Sequence, residues 1–113
     1  MRTEIDKKFI TTGLTFDGYQ ITDYLGVVRG ISVRSRSVIG NMGAAIQSFF
    51  GGNVSILQEL CEQTRMASFS LMAAHAEELG ANAVIAVKYD ATEIMQGVSE
   101  VLCYGTAVVI RKI

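Results

Sequence analysis

The stretch from Val54 to Leu79 constrains this chain most, because it reads as one long helix carrying more apolar surface than a single contact can hide. At about 100° per residue, Leu57, Leu60, Cys61, Thr64, Ala67, Ser68, Leu71, Met72, His75 and Leu79 share a broad face, the expected core face. Glu59, Gln63, Ser70 and Glu77 form a narrow polar wedge opposite, and Met66, Phe69 and Ala73 occupy the flank between them. That flank is a second apolar seam. It reads as a contact with another subunit, the alternative being plain core beneath the N-terminal segment. Gly80 supplies the left-handed residue that closes the helix, and Ala81 to Val87 starts a strand.

A second strand returns through Val98 to Ile110, with Gln96-Gly97 as a two-residue hairpin turn. The register this turn implies pairs Tyr89 with Tyr104 and Val87 with Thr106. It gathers Ile85, Val87, Tyr89, Leu102, Tyr104, Val108 and Ile110 on a bulky face expected to pack on the helix. The other face, with Ala86, Lys88, Asp90, Val101, Cys103, Gly105 and Ala107, is small-sided and expected to be covered as well. The same register sets Asp90 opposite Cys103, with Lys88 on the same face, where charge moves a thiol's pKa. It also sets Glu93 opposite Glu100, and like charges so placed call for a cation or a basic group.

Upstream, Phe9 to Thr12 is a short strand candidate, and Asp17-Gly18 between Thr15-Phe16 and Tyr19-Gln20 signals a hairpin. Ile21 to Val33 is a strand of unusual length, in which Gly26 and Gly30 mark a bend or a close backbone approach. Arg29, Arg34 and Arg36 cluster at its end, as an anion site or, more commonly, a solvated strand end. Val38, Ile39, Met42, Ala45, Ile46, Phe49 and Phe50 recur at helical spacing, with Ser37 as cap and Gly51-Gly52 as stop; Asn53 or Ser55 caps the long helix. The fold class is therefore α+β, an antiparallel sheet packed on a long helix plus a shorter one. The 113 residues make one domain, with residues 1–8 expected as a flexible N-terminus.

Lys and Arg number 10 against 11 Asp and Glu, a net charge of -1, so no basic excess points to nucleic acid. Half the residues are hydrophobic and mean hydropathy is +0.32, an apolar surplus that favours a homo-oligomer. Residues 1–8 lack the apolar core of a signal peptide, and the longest apolar run, Val101 to Ile110, is about half the ~20 residues of a membrane span. These features lead us to expect a cytoplasmic protein without a membrane partner, its two cysteines reduced.

A heavy-metal site needs soft thiolate or imidazole donors converging on one point. The candidates are Cys103, Cys61 and His75, with Glu93 and Glu100 at the hairpin tip. Cys61 and His75 lie ~21 Å apart along the helix at ~1.5 Å per residue, so they cannot hold one ion within a subunit. A core or packing role is the ordinary meaning of each, and only a ring would bring copies together. With one His, no triad and no nucleophile beside an activating base, the chain reads as a non-enzyme. Its role is then binding, the rival reading being a purely structural or protein-interaction module.

Phe49-Phe50-Gly51-Gly52, Thr64-Arg65, Leu79-Gly80-Ala81-Asn82-Ala83-Val84-Ile85 and Gly105-Thr106-Ala107-Val108, at their spacing, resemble the signature of the bacterial YbjQ family from about Thr11 onward. The resemblance implies a small α+β subunit related to dodecin-like folds, assembled as a ring, a homopentamer. It also brings the label "putative heavy-metal-binding", hence a metal ion as the cofactor to look for. Asn53 stands where that family often has Arg, and Leu57-Gln58 where a Tyr-Glu pair is usual.

Overall fold

The sheet is organised on its last strand. The computed structural model describes residues 4–35 and 54–113. Within them β1 (Tyr19–Ser35), α1 (Val54–Glu78), β2 (Ala83–Met95) and β3 (Val98–Lys112) follow in chain order, and the three antiparallel strands lie in the order β1-β3-β2. The expected shorter helix and its caps fall on residues 37–53, outside the described residues.

β1 is the long strand that the Ile21 to Val33 pattern predicts, and its two glycines do different things. Gly26, at φ 112°, sits where the pairing with β3 slips by one residue. At Gly30 α1 comes so close that a Cβ would overlap the carbonyl of Ser68 and stand 2.5 Å from the Met72 nitrogen. This approach narrows the face that α1 can bury. Thr64, Ser68, Met72 and Ala76, four residues apart, are buried, whereas Cys61, Ala67, Leu71 and Leu79 of the expected broad core face are exposed. A ridge of small residues, broken by one flexible methionine, is what a backbone-level contact admits. The helix ends as predicted: Gly80, at φ 88°, donates to Glu77 O at 3.0 Å, and Ala81 N donates to Ala76 O at 3.1 Å, the paired bonds of a Schellman cap.

The assignment of faces corrects the sequence expectation. The helix lies on the small face: Cys103 and Ala107 of β3 join Val28, Val84 and Val87 in one core with Met72, Ala76, Ala81 and Ile5. On the opposite face Ala83, Ile85, Val108 and Ile110 pack against Phe9, Phe16, Tyr19 and Ile21. Phe9 sets that second layer, meeting Phe16 and Tyr19 edge-on at 5.7 and 5.2 Å between ring centroids. The physical cause is a bulge at Ala86, whose φ of 56° puts Val84 and Val87 on the helix face and Ile85 on the other. Side chains as bulky as Leu102 or Tyr104 would hold the helix off the distance that Gly30 requires.

The N-terminal segment, expected as a flexible tail, is anchored at Ile5 among its described residues, while Glu4, Asp6, Lys7 and Lys8 are exposed. Ile5 is in the core, and its N–H donates to a Glu77 carboxylate oxygen at 3.0 Å. A single 3-10 turn over Lys7–Phe9 follows, with Asp6 accepting from Lys8 N. The Phe9 to Thr12 strand reduces to one parallel bridge, Ile10 to Val84, flanked by bonds from Thr11 N to Val84 O, Val87 N to Thr11 O and Ala86 N to Gly13 O. Asp17-Gly18 makes a turn, Tyr19 N donating to Phe16 O at 3.1 Å, without a strand before it. That segment covers the outer edge of β2 only as far as Val87.

Beyond Val87 the sheet runs on as an arm, the β2–β3 hairpin with β1 paired to β3 as far as Ser35 opposite Val98. Every β2 residue from Lys88 to Met95 is exposed, and the chain measures 56 × 26 × 26 Å with a radius of gyration of 17.2 Å. A compact domain of this length would have about 13 Å. No helix among the described residues is long and apolar enough to cross a membrane.

Candidate functional site

The arm decides which of the expected partners meet. Its turn closes Met95 against Val98, as the Gln96-Gly97 pattern predicts, with Gly97 at φ 78°. A slip between Glu93 and Met95 then moves the pairs from Glu93 to Lys88 by one: Glu93 faces Ser99, Thr92 faces Glu100, Asp90 faces Leu102 and Tyr89 faces Cys103. A one-residue slip exchanges the two faces of a strand. So Glu93 and Glu100 point to opposite sides of the sheet and cannot share a cation within one chain, and Asp90 is on the face away from Cys103. Asp90 instead accepts a hydrogen bond from the Tyr104 hydroxyl, and that bond and the carboxylate's charge push the phenol's pKa up.

Cys103 is fully buried, its Sγ 3.6 Å from the Sδ of Met72 across the helix–sheet interface. Burial pushes its pKa up, and a hydrogen bond with the Tyr89 hydroxyl works against that rise. Tyr89 is pushed up to about 12, first by its own partial burial and then by the neighbouring Cys103. Neither Met72 nor Tyr89 is a partner of Cys103 in the sequence expectation; the slipped pairing brings Tyr89 there, and the packing of α1 on the small face brings Met72.

The remaining candidates do not join this group. Cys61 is exposed on α1. His75 turns to the rim of β1, where its Nδ1 accepts the backbone N–H of Arg29 at 3.3 Å, a satisfied structural histidine. Arg34 donates from Nε to the Thr64 hydroxyl, while Arg29, five residues earlier on an unbroken stretch of β1, faces the other side of the sheet. The arginine patch is therefore divided, and Arg36 lies outside the described residues. Among the described residues no three His, Cys, Asp or Glu side chains converge on a point. The described donors of one chain do not fit a tetrahedral ion; the Cys103–Met72 pair, a thiol and a thioether, fits the first two ligands of a thiophilic one.

A furrow is the second feature. α1 lies over β1 and β3 and leaves the helix-side face of β2 open beyond Val87, Val84 and Val87 themselves being buried. The gap, about 460 Å³, is lined by Glu62, Arg65, Met66, Phe69 and Ser70 of α1, Tyr89 of β2 and Lys7. Toward the helix N-terminus it adjoins a hollow bounded by Gln58, Cys61, Glu62 and Arg65. The apolar seam of Met66, Phe69 and Ala73 has a divided fate: Met66, 58% exposed, lines this gap, Phe69 lines it and packs against the core that contains Ile5, and Ala73 faces a hollow under the N-terminal segment.

Residues 9–111 match a YbjQ family model described as "putative heavy-metal-binding". The chain is 59% identical over 104 residues to a UPF0145 protein of Solibacter usitatus (92% of this chain, 93% of the relative) and 54% identical over 101 residues to one of Chromobacterium violaceum (89% and 86%). In fold it is similar to a crystal structure from Pediococcus pentosaceus, a protein of unknown function of the DUF74 family. That likeness has a TM-score of 0.58 at 21% identity and covers 91% of this chain and 97% of the other.

Proposed function

Since the chain belongs to the YbjQ family, whose domain is described as "putative heavy-metal-binding", we propose that it is a non-enzymatic binding protein acting as a closed ring of identical subunits, a homopentamer. A thiophilic metal ion or small ligand is its cargo. The observation that carries this reading is the open arm: Ile31, Val33, Ile94 and Met95 all expose more than two fifths of their surface on a sheet that no other described element covers there. Apolar area of this kind marks an interface.

Within one subunit the cargo's first ligands are Cys103 and Met72, and a fuller set requires donors from a neighbouring copy. Native mass spectrometry of untagged protein, after incubation with Cu(I) or Zn(II) and desalting, tests both parts at once. The reading predicts a multiple of the 12.2 kDa chain with Cu(I) retained in fixed ratio and lost in Cys103→Ser. A ring that retains neither ion would instead support the structural, interaction-only reading.

A further inference from the structure

The furrow and the arm tip are complementary, and they lie on different parts of the same chain. Between Tyr89 and Val101 the hairpin carries Asp90, Glu93 and Glu100 and no positive charge, Lys88 lying at its base and Arg34 of the adjoining β1 being turned to Thr64 of α1, and its end presents Ile94 and Met95, exposed by 52% and 64%. The furrow offers an apolar floor of Met66, Phe69 and Tyr89 flanked by Lys7 and Arg65, with Glu62 as its one acid. We infer that the furrow receives the arm tip of a second copy of this chain: Ile94 and Met95 enter between α1 and β2, and the arm's carboxylates meet Lys7 and Arg65 at the rim.

This placement rests on the ring reading and adds to it which surfaces meet. A tip seated in a neighbour's furrow leaves the first subunit's own furrow to be filled by the next, a head-to-tail contact that closes as a ring where its rotation allows. Opposite charges at such a rim set register and the rate of encounter, while apolar side chains at the centre hold the contact. The exposed thiol of Cys61, in the hollow next to the furrow, lies where a tip would arrive.

Charge exchange tests the pairing. Lys7→Glu with Arg65→Glu, or Glu93→Lys with Glu100→Lys, should each lower the sedimenting mass at micromolar concentration, with the far-ultraviolet circular dichroism unchanged. The chain carrying all four reversals should recover at least half of the assembled fraction. If either pair left a wild-type ring intact, or the fourfold chain stayed dissociated while folded, the placement would be wrong although the ring stood; a monomeric wild type would remove both. A second readout needs no charge change. Met95→Cys should give an intermolecular disulfide with native Cys61 on diamide oxidation, absent when Cys61 is Ser; no cross-link, or one that survives Cys61→Ser, overturns the placement.

Discussion

At Gly30 the absence of a side chain sets the distance between helix and sheet. A methyl group there meets the backbone of Ser68 and Met72, atoms that cannot rotate away, so Gly30→Ala forces the helix outward. The expected loss is about 3 kcal/mol, the upper end for overpacking, read as a lowered urea midpoint with unchanged slope. Tyr89 makes a second prediction. It keeps its proton in the folded chain up to about pH 12, above the ordinary value of 10.0, so the unfolded chain releases that proton first. The stability contributed is complete below pH 10 and is lost as the pH climbs toward 12. Tyr89→Phe should therefore flatten part of the alkaline fall in the urea midpoint; an identical fall would show that burial beside Cys103 is not its cause. The sequence offered a bend or a close backbone approach for Gly26 and Gly30 alike, and only the structure separates them, the slip falling at Gly26 and the close approach at Gly30. The Cys103, Met72 and Tyr89 group was not legible in the sequence, because it depends on a bulge that leaves no mark in hydrophobic alternation.

At the scale of elements, the helix, its Gly80 stop, the long first strand and the hairpin turn all follow from periodicity and turn chemistry. What periodicity misassigned was the face. A sheet with apolar residues on both sides gives no sign of which side takes the helix, and here closeness of approach overrides bulk, so Cys103 and Ala107 lie under α1 while Ile85 and Val108 take the aromatic layer. The joint between α1 and the sheet depends on Asn82. Its side chain donates to Ile110 O at 2.9 Å and accepts from Ile110 N at 2.8 Å, extending the ladder of β3 where β2 has not yet begun. Asn82→Ala should cost about 2 kcal/mol for two such bonds and should speed amide exchange at Ile110 in preference to the distal arm. Uniform exchange along β3 would contradict that local role. Ser68 is a further tie, its Oγ 3.1 Å from Thr64 O and 2.9 Å from Val101 O, one proton serving one acceptor at a time.

At the scale of the whole molecule, the two tightly packed cores sit at one end and the arm extends from the other. A single chain leaves the distal part of β2 exposed, together with Ile31 and Val33 on the face of β1 away from α1, and residues that elsewhere form a core are turned to water. Composition alone indicated this surplus, but not where it lay, because the seam on α1 is shared between the N-terminal segment and the furrow while the larger open area is on the arm. The metal candidates Cys61, His75, Glu93 and Glu100 are likewise separated from Cys103 within one subunit. Sedimentation velocity of untagged protein at micromolar concentration is therefore the most direct measurement. The account predicts a single boundary at about five times the 12.2 kDa chain mass, persisting on dilution; a stable, folded 12.2 kDa species would contradict it.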